Sequence, residues 1–239
     1  MTGLPQSGTG QATLFSGVNC AALAGRHFGP YPHSTSKPVL EAWSVFARLR
    51  AGGHAVEHLA FANAYPARFF THAEARRRWT VTTFCCRAAG VRLRTGADLT
   101  AGRAVAADLT AVGWPEPGVP AVDEAEAAAR LARLAAAHRL TLFEYFLTDK
   151  AGHAQDAAMA AAVLATLDRF FDALLDRLDA RTLLVIASDH GNLEDLSVRV
   201  HTRHPVPLVA LGPGAAAFAG AATLMDVTPA LVGVMGDGR

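Results

Sequence analysis

Five side chains of the kind that bind metal ions stand just after or between apolar stretches of the chain. They are Asp149, His153, Asp189, His190 and His201. The first two follow the stretch 141–148, the next two follow 182–187, and the last precedes 206–211. Because the set mixes imidazole nitrogens with carboxylate oxygens, it suits Zn or Mn better than Ca or Mg. The pattern therefore predicts a divalent metal site.

The three apolar stretches are typical of buried strands, and helical spacing of apolar residues lies between and around them. Helices are predicted at 39–50, 123–138, 156–178 and 226–234, the last with Asp226 as N-cap and Pro229 in its first turn. Strands alternating with helices predict an α/β fold with a doubly wound, mostly parallel sheet. In such a sheet the carboxyl ends of the strands lie at one edge, where ligands bind.

The start of the chain and its middle differ in character from this pattern. Residues 4–24 open with a Ser/Gly/Thr loop and become helix-like. The loop suits either a backbone approach to phosphate or a plain helix start capped by Ser7 or Thr9. Residues 25–138 contain prolines, a turn-rich break and many arginines. These arginines either bind a phosphorylated substrate or form a solvent-exposed basic face. We predict a core of residues 1–24 and 139–239 carrying a cap or insertion region at 25–138.

The overall composition excludes several classes of protein. The chain has 239 residues, 22 of them basic and 21 acidic, and so gives no electrostatic case for nucleic acid or an anionic membrane. Its mean hydropathy of +0.20 comes largely from alanine, and no apolar run is long enough to span a bilayer. Three cysteines without a Cys-x-x-Cys spacing, and no visible secretory signal, predict a reduced cytoplasmic protein.

Three motifs resemble those of a known family. They are Asp149-Lys-Ala-Gly-His153, Ser188-Asp-His-Gly-Asn192 and His201-Thr-Arg-His-Pro-Val-Pro207. Together they are similar to the metal motifs of the alkaline phosphatase superfamily, in the branch of cofactor-independent phosphoglycerate mutase and phosphopentomutase. The loop Gln6-Ser-Gly-Thr-Gly-Gln11 resembles that branch's nucleophile loop, in which a Ser or Thr stands three residues before a glycine. The resemblance covers about half of the chain.

The resemblance implies two divalent metal ions, Zn or Mn, and a serine nucleophile. One ion would be held by Asp149, His153 and His201, and the other by Asp189, His190 and the oxygen of Ser7. Ser7 would be the nucleophile, because it lies three residues before Gly10. The implied activity is phosphoryl transfer from a small phosphorylated substrate, by a phosphomonoester hydrolase or a phosphomutase. The alternatives are a phosphodiesterase of the same superfamily and a truncated, non-catalytic metal-binding protein.

The chain departs from the family pattern at three places. In the family a strand upstream of the nucleophile loop supplies one more aspartate to the second metal, whereas here only six residues precede Ser7. We therefore expect a truncated chain that folds poorly or binds its second metal weakly. Gln11 stands where the mutases have histidine, and His204 stands where they have asparagine. His204 is thus an alternative ligand to His201, although the register of the motif favours His201. The substrate arginines of the mutases have no match in the central region.

Overall fold

A computed structural model of the chain describes residues 3–236. Within this range there are eleven α-helices and six short strands. The helices are α1 (Ser7–Ser16), α2 (Cys20–Ala24), α3 (Lys37–Trp43), α4 (Val45–Ala51), α5 (Ala67–Arg76), α6 (Val81–Ala89), α7 (Gly96–Thr100), α8 (Glu124–Ala137), α9 (Leu147–Ala154), α10 (Ala157–Leu175) and α11 (Val227–Met235). The strands are β1 (Leu59–Phe61), β2 (Ala64–Tyr65), β3 (Arg94–Thr95), β4 (Leu140–Leu142), β5 (Leu184–Ala187) and β6 (Leu208–Leu211). None of the helices described could cross a membrane.

The strands form three pairs, and two of the pairs are parallel. Strand β1 pairs with β4 in the register Leu59 to Leu140, and β2 pairs with β3. The third pair, β5 and β6, is antiparallel, with Leu184 opposite Leu211. Its direction follows from the connection 188–207, which contains no crossover helix of the kind that a parallel return requires. The predicted α/β class is confirmed, with the last strand running opposite to the expected direction.

The stretch 141–148, predicted as one strand, is mostly something else. Strand β4 ends at Leu142, and helix α9 begins at Leu147. Between them the backbone of Glu144 forms hydrogen bonds with the side chain of Asn63 rather than with a neighbouring strand. The amide of Asn63 donates to the carbonyl of Glu144 and accepts from its N–H, each at 2.8 Å. Asp149 and His153 therefore lie on a helix, four residues apart, where two side chains share one face.

The other predicted helices are present with small shifts of their ends. Asp156 caps α10 by accepting hydrogen bonds from the N–H groups of Ala158 and Met159, and Asp123 caps α8 in the same way through Glu126. The predicted helix 39–50 is divided at Ser44, whose hydroxyl accepts from the N–H of Ala47 and starts α4 anew. Local capping chemistry thus decides where these helices begin.

The core is a set of apolar clusters that hold the site elements in place. One cluster is centred on Leu40, Phe46 and Phe61, and packs α1, α4, α6 and the β1/β4 pair together. Another joins α1 and α11 to the inner face of β5 and β6, and Thr228 strengthens it by donating to the carbonyl of Leu14 at 2.7 Å. Helix α1 is thereby fixed beside the end of β5.

Strand β1, from the region predicted as a cap, pairs with β4, from the predicted core. The domain division itself stays a prediction.

Candidate metal centre

The turn that starts helix α1 brings Ser7 to the end of strand β5. Ser7 is the first residue of the helix, after an extended Gln6 that makes no side-chain cap. Neither Ser7 nor Thr9 is the N-cap, so the plain capped-helix alternative is wrong. The Oγ of Ser7 lies 2.9 Å from Nε2 of His190. Gly10 permits this approach, because a Cβ there would lie 2.5 Å from the carbonyl oxygen of Asp189.

Thr9, the other hydroxyl of this turn, faces away from that contact. Its hydroxyl donates to the carbonyl of Gln6 and accepts from the N–H of Phe28, both at 3.2 Å. Its own N–H donates to the carbonyl of Phe28 at 2.8 Å. Thr9 therefore fastens the loop around Phe28 onto the turn, whereas the hydroxyl of Ser7 is directed to His190.

Asp189 and His190 follow strand β5 directly and are held close together. Oδ2 of Asp189 lies 3.5 Å from Nε2 of His190. This oxygen is buried, and within residues 3–236 it accepts no hydrogen bond. Burial raises the pKa of Asp189, since a carboxylate removed from water is costly unless a cation or donors compensate it. A buried oxygen of this kind is suited to a positively charged ligand.

Helix α9 contributes Asp149 and His153 from one face. Oδ1 of Asp149 lies 3.4 Å from Nε2 of His153 and 3.3 Å from Nε2 of His201. Burial opposes ionisation of Asp149, but hydrogen bonds from His201 and Asn192 and the charges of His190 and His153 outweigh it. They hold the pKa of Asp149 at about 2. Asp149 is therefore an ionised carboxylate among three imidazoles.

His201 returns to this point from the loop after β5. Its ring stacks on that of His190 with 3.7 Å between centroids, and its Nε2 lies 3.1 Å from Nε2 of His153. Burial lowers the pKa of His201, but its hydrogen bonds with Asp149 and the Pro5 carbonyl raise it by more. The carboxylate that favours a proton on this ring would favour a metal cation in the same position.

The backbone fixes which ring nitrogens face the centre. Nδ1 of His201 contacts the carbonyl oxygen of Pro5 at 2.7 Å, and Nδ1 of His153 contacts that of Arg199 at 2.8 Å. A carbonyl oxygen can only accept, so both Nδ1 atoms carry the hydrogen. When these rings are neutral, both Nε2 lone pairs point into the cluster, which is the tautomer that metal-binding histidines adopt.

All six predicted site residues come together at this centre. The ligand atoms of Asp149, His190 and His201 lie within 4.8 Å of one another, a distance that one metal ion can bridge. His153 contacts this group through His201, and Asp189 and Ser7 contact it through His190. Three converging imidazoles, an ionised carboxylate and a buried, unpaired carboxylate oxygen fit a divalent cation.

Asn192 is a site residue that the sequence prediction missed. Its Nδ2 donates to Oδ1 of Asp149 at 2.6 Å and to the carbonyl of Asp149 at 3.2 Å. The side chain is buried, and its Oδ1 packs against Gly152, where a Cβ would collide with it. Its backbone N–H is held by the carboxylate of Glu194 at 2.7 Å. The sequence contains one indication of this role, which is the position of Asn192 at the end of the motif Ser188 to Asn192.

His204, the competing ligand, lies outside the cluster. Its side chain is 58% exposed, and its Nδ1 lies 3.3 Å from Oε1 of Glu194.

Three arginines of the central region form contacts within that region. Arg92 and Arg103 both bind Asp98, and Arg94 donates to backbone carbonyls of Phe61 and Arg103. These three arginines therefore serve the fold of the central region.

Comparison with known proteins agrees with the motifs and the cluster. The model of the metalloenzyme superfamily matches residues 116–236. This is half of the chain, and the chain belongs to that superfamily.

The relatives that match are mutases. A 2,3-bisphosphoglycerate-independent phosphoglycerate mutase of Thermomicrobium roseum is 28% identical in an alignment of 143 residues that covers 51% of this chain and 27% of that protein. The same enzyme of Acinetobacter baylyi is 35% identical over 40% of this chain and 20% of its own length. A phosphopentomutase of an Anaeromyxobacter species is 41% identical over 63 residues, which are 26% of this chain and 16% of that protein. The matches thus span about a quarter or less of these relatives, and the predicted resemblance to this branch is confirmed.

One solved structure also matches. The PH0037 protein of Pyrococcus horikoshii aligns with 84% of this chain and 54% of its own, with a TM-score of 0.47 and 17% identity.

Proposed function

We propose that this chain carries the active site of a metal-dependent phosphoryl-transfer enzyme, either a phosphomonoester hydrolase or a phosphomutase, with Ser7 as nucleophile. The observation that carries the proposal is the 2.9 Å contact between Oγ of Ser7 and Nε2 of His190, one of three converging ligand-type residues. The family and the printed names of the mutase relatives support the same reaction class. A small phosphorylated sugar or acid is the proposed substrate class.

Two divalent ions are proposed, held by the six residues of the cluster. Asp149, His153 and His201 would hold one of them. Asp189, His190 and Oγ of Ser7 would hold the other. Imidazole and carboxylate donors suit Zn or Mn. When bound, the ions supply Lewis acidity that lowers the pKa of a hydroxyl and neutralises charge on the transferred phosphoryl group.

The chain's own groups prepare Ser7 for attack on phosphorus. The close packing of Gly10 on Asp189 holds the turn against the strand end, so that Oγ of Ser7 is already positioned and pays little entropy in the reaction. In the proposed step the Oγ–P bond forms and the P–O bond to the substrate alcohol breaks. The Ser7 proton leaves and the alcohol oxygen takes one up. The phosphoryl group on Ser7 then passes to water in a hydrolase, or to a second substrate hydroxyl in a mutase.

A cytoplasmic location for the protein and a cap over the active site are also proposed. The three cysteines are free and buried, which supports a cytoplasmic location. Residues 25–138 are proposed to cover the site as a cap. The near-neutral charge gives no reason to propose a nucleic acid or membrane partner.

The proposal is tested with a panel of phosphomonoesters on metal-loaded protein. We expect Ser7→Ala and His190→Ala to lose at least about 100-fold in turnover, since nucleophile and ligand act as one unit. Ser34→Ala and His72→Ala, exposed residues of the same types outside the cluster, serve as matched controls and keep full turnover. Undiminished turnover in the Ser7 and His190 variants would refute the assignment.

A further inference from the structure

A shallow cavity of about 460 Å³, widely open to solvent, lies beside the turn that carries Ser7. Its lining includes Gln6, which directly precedes Ser7, and the loop from Arg26 to Gly29. This volume lies within the range of small-molecule sites. The segment that contributes Leu4 and Gln6 to the lining also contains Pro5, whose carbonyl accepts a hydrogen bond from Nδ1 of His201 at 2.7 Å.

The loop that lines the cavity is attached rigidly to the Ser7 turn. Thr9 and Phe28 exchange two hydrogen bonds, at 2.8 and 3.2 Å. Gly29 packs so tightly that a Cβ there would lie 3.2 Å from Cβ of Gln6 and from the N atom of Gly8. The backbone of this loop is therefore held at a fixed position relative to the Ser7 turn, as the support of a substrate-binding group must be.

The two ionisable side chains among the described residues that line the cavity are both basic. Arg26 and His27 line it, and Arg203 is tied to its wall by a 3.1 Å hydrogen bond from Nε to the carbonyl of Gly3. None of the described residues that line it is acidic. Burial lowers the pKa of His27, and nearby positive charges, Arg203 among them, lower it further. Each of these groups would be stabilised by an anion in the cavity.

Arg26 differs from Arg92, Arg94 and Arg103 in having its guanidinium available. Within residues 3–236 it forms no ion pair, and its guanidinium carbon lies 5.4 Å from the centre of the Phe28 ring. Stacking on a ring orients a guanidinium while leaving its N–H donors free. Such a group can bind the oxygens of a phosphate or carboxylate in a bidentate manner.

We propose that this cavity is an oxyanion subsite of the active site, in which Arg26, assisted by His27, binds a phosphoryl or carboxylate group of the substrate. The inference rests on the proposed function and deepens it. It makes the substrate a small molecule with an anionic group beside Ser7, and makes Arg26 a specificity-determining residue. Arg203, at the rim, adds to the positive potential.

The first experiment measures binding of inorganic phosphate to metal-loaded protein by titration calorimetry. We expect Arg26→Ala to weaken binding about tenfold or more, with a smaller loss for Arg26→Lys, which keeps the charge without the bidentate geometry. Arg87→Ala is the matched control, because Arg87 is also exposed and stacked on a ring, that of Trp79, but does not line this cavity. Unchanged affinity in Arg26→Ala, in a variant that circular dichroism shows to be folded, would overturn the proposal.

The second experiment identifies which anionic group is bound, using two substrates with the same variants. One is an aryl phosphate without other charge, and the other a phosphomonoester with a carboxylate on the alcohol side. A KM raised by Arg26→Ala for both supports binding of the phosphoryl group, and one raised only for the second supports binding of the carboxylate. A KM unchanged for both contradicts the subsite. If the protein turns over neither substrate, or if turnover survives Ser7→Ala, the proposed function fails, while the phosphate titration still decides the subsite.

Discussion

Asn192 is predicted to hold Asp149 in its metal-binding position, and Asn192→Ala tests this directly. The substitution removes the 2.6 Å hydrogen bond to Oδ1 of Asp149 and the 3.2 Å bond to its carbonyl. It leaves every proposed ligand in place. The carboxylate would then be free to rotate, and one of the contributions that keep the pKa of Asp149 near 2 would be lost.

The size of the effect follows from the type of bond that is lost. A hydrogen bond to an ionised carboxylate contributes about 1.5–3 kcal/mol. Substitution of residues that orient metal ligands typically weakens metal binding by about 10–100-fold, which is about 1.4–2.8 kcal/mol. The two ranges overlap, so we expect Asn192→Ala to bind Zn²⁺ about 10–100-fold more weakly than the parent chain.

The assay is a calorimetric titration of chelator-treated protein with Zn²⁺, with circular dichroism to establish that each variant is folded. Asn19→Ala is the matched control. Asn19 is also a hydrogen-bonding asparagine, but it accepts from the N–H of Ala22 at the start of α2 and lies outside the cluster. We expect it to cost about 1 kcal/mol of stability and to leave metal affinity unchanged. A folded Asn192→Ala protein with the affinity of the parent would refute the reasoning.

Two further predictions concern the surroundings of the site. Gly152→Ala places a Cβ against the amide of Asn192 and should destabilise the fold by about 1–3 kcal/mol in denaturant titrations. The control is Gly233→Ala on α11, where a Cβ meets no other atom, and this variant should have unchanged or higher stability. Equal stability of the two variants would contradict the close packing at Gly152. Burial raises the pKa of Glu144 to about 7, with the charge of Asp189 adding to it and a hydrogen bond from Thr82 opposing it. The folded chain therefore binds this proton more tightly than the unfolded chain, in which a Glu has a pKa of about 4.3, and stability falls as pH rises from about 4 to 7. Glu144→Gln should remove this pH-dependent loss. The free energy of unfolding of the variant minus that of the parent should therefore rise by about 2 kcal/mol between pH 5 and pH 8. If this difference stays constant with pH, the carboxyl of Glu144 is not buried.

The sequence predicted which side chains come together because their types themselves suggest a shared chemistry. Asp149, His153, Asp189, His190 and His201 stand in motifs whose composition is visible without coordinates, and all of them lie in the cluster. The choice of Ser7 over Thr9 agrees with the directions of the two hydroxyls. The role of each residue in catalysis stays a prediction.

The errors came from interactions between residues far apart in the chain. The alternation of Phe143 and Tyr145 is typical of a strand, but the backbone there is bonded by Asn63, 81 residues away from Glu144. The direction of β6 depends on the path of the loop before it, which its composition does not encode. Asn192 was missed because its importance lies in its contact with Asp149, which only the fold brings about.

The central claim, that Ser7 is the phosphoryl-accepting nucleophile, is tested most directly by trapping the modified residue. Metal-loaded protein is incubated with a phosphomonoester that it turns over, quenched in acid, and analysed by peptide mass spectrometry with fragmentation. We expect phosphate on Ser7, none on Thr9, and no modified peptide from Ser7→Ala. Phosphate on Thr9, or turnover without any phosphate on this peptide, would contradict the claim.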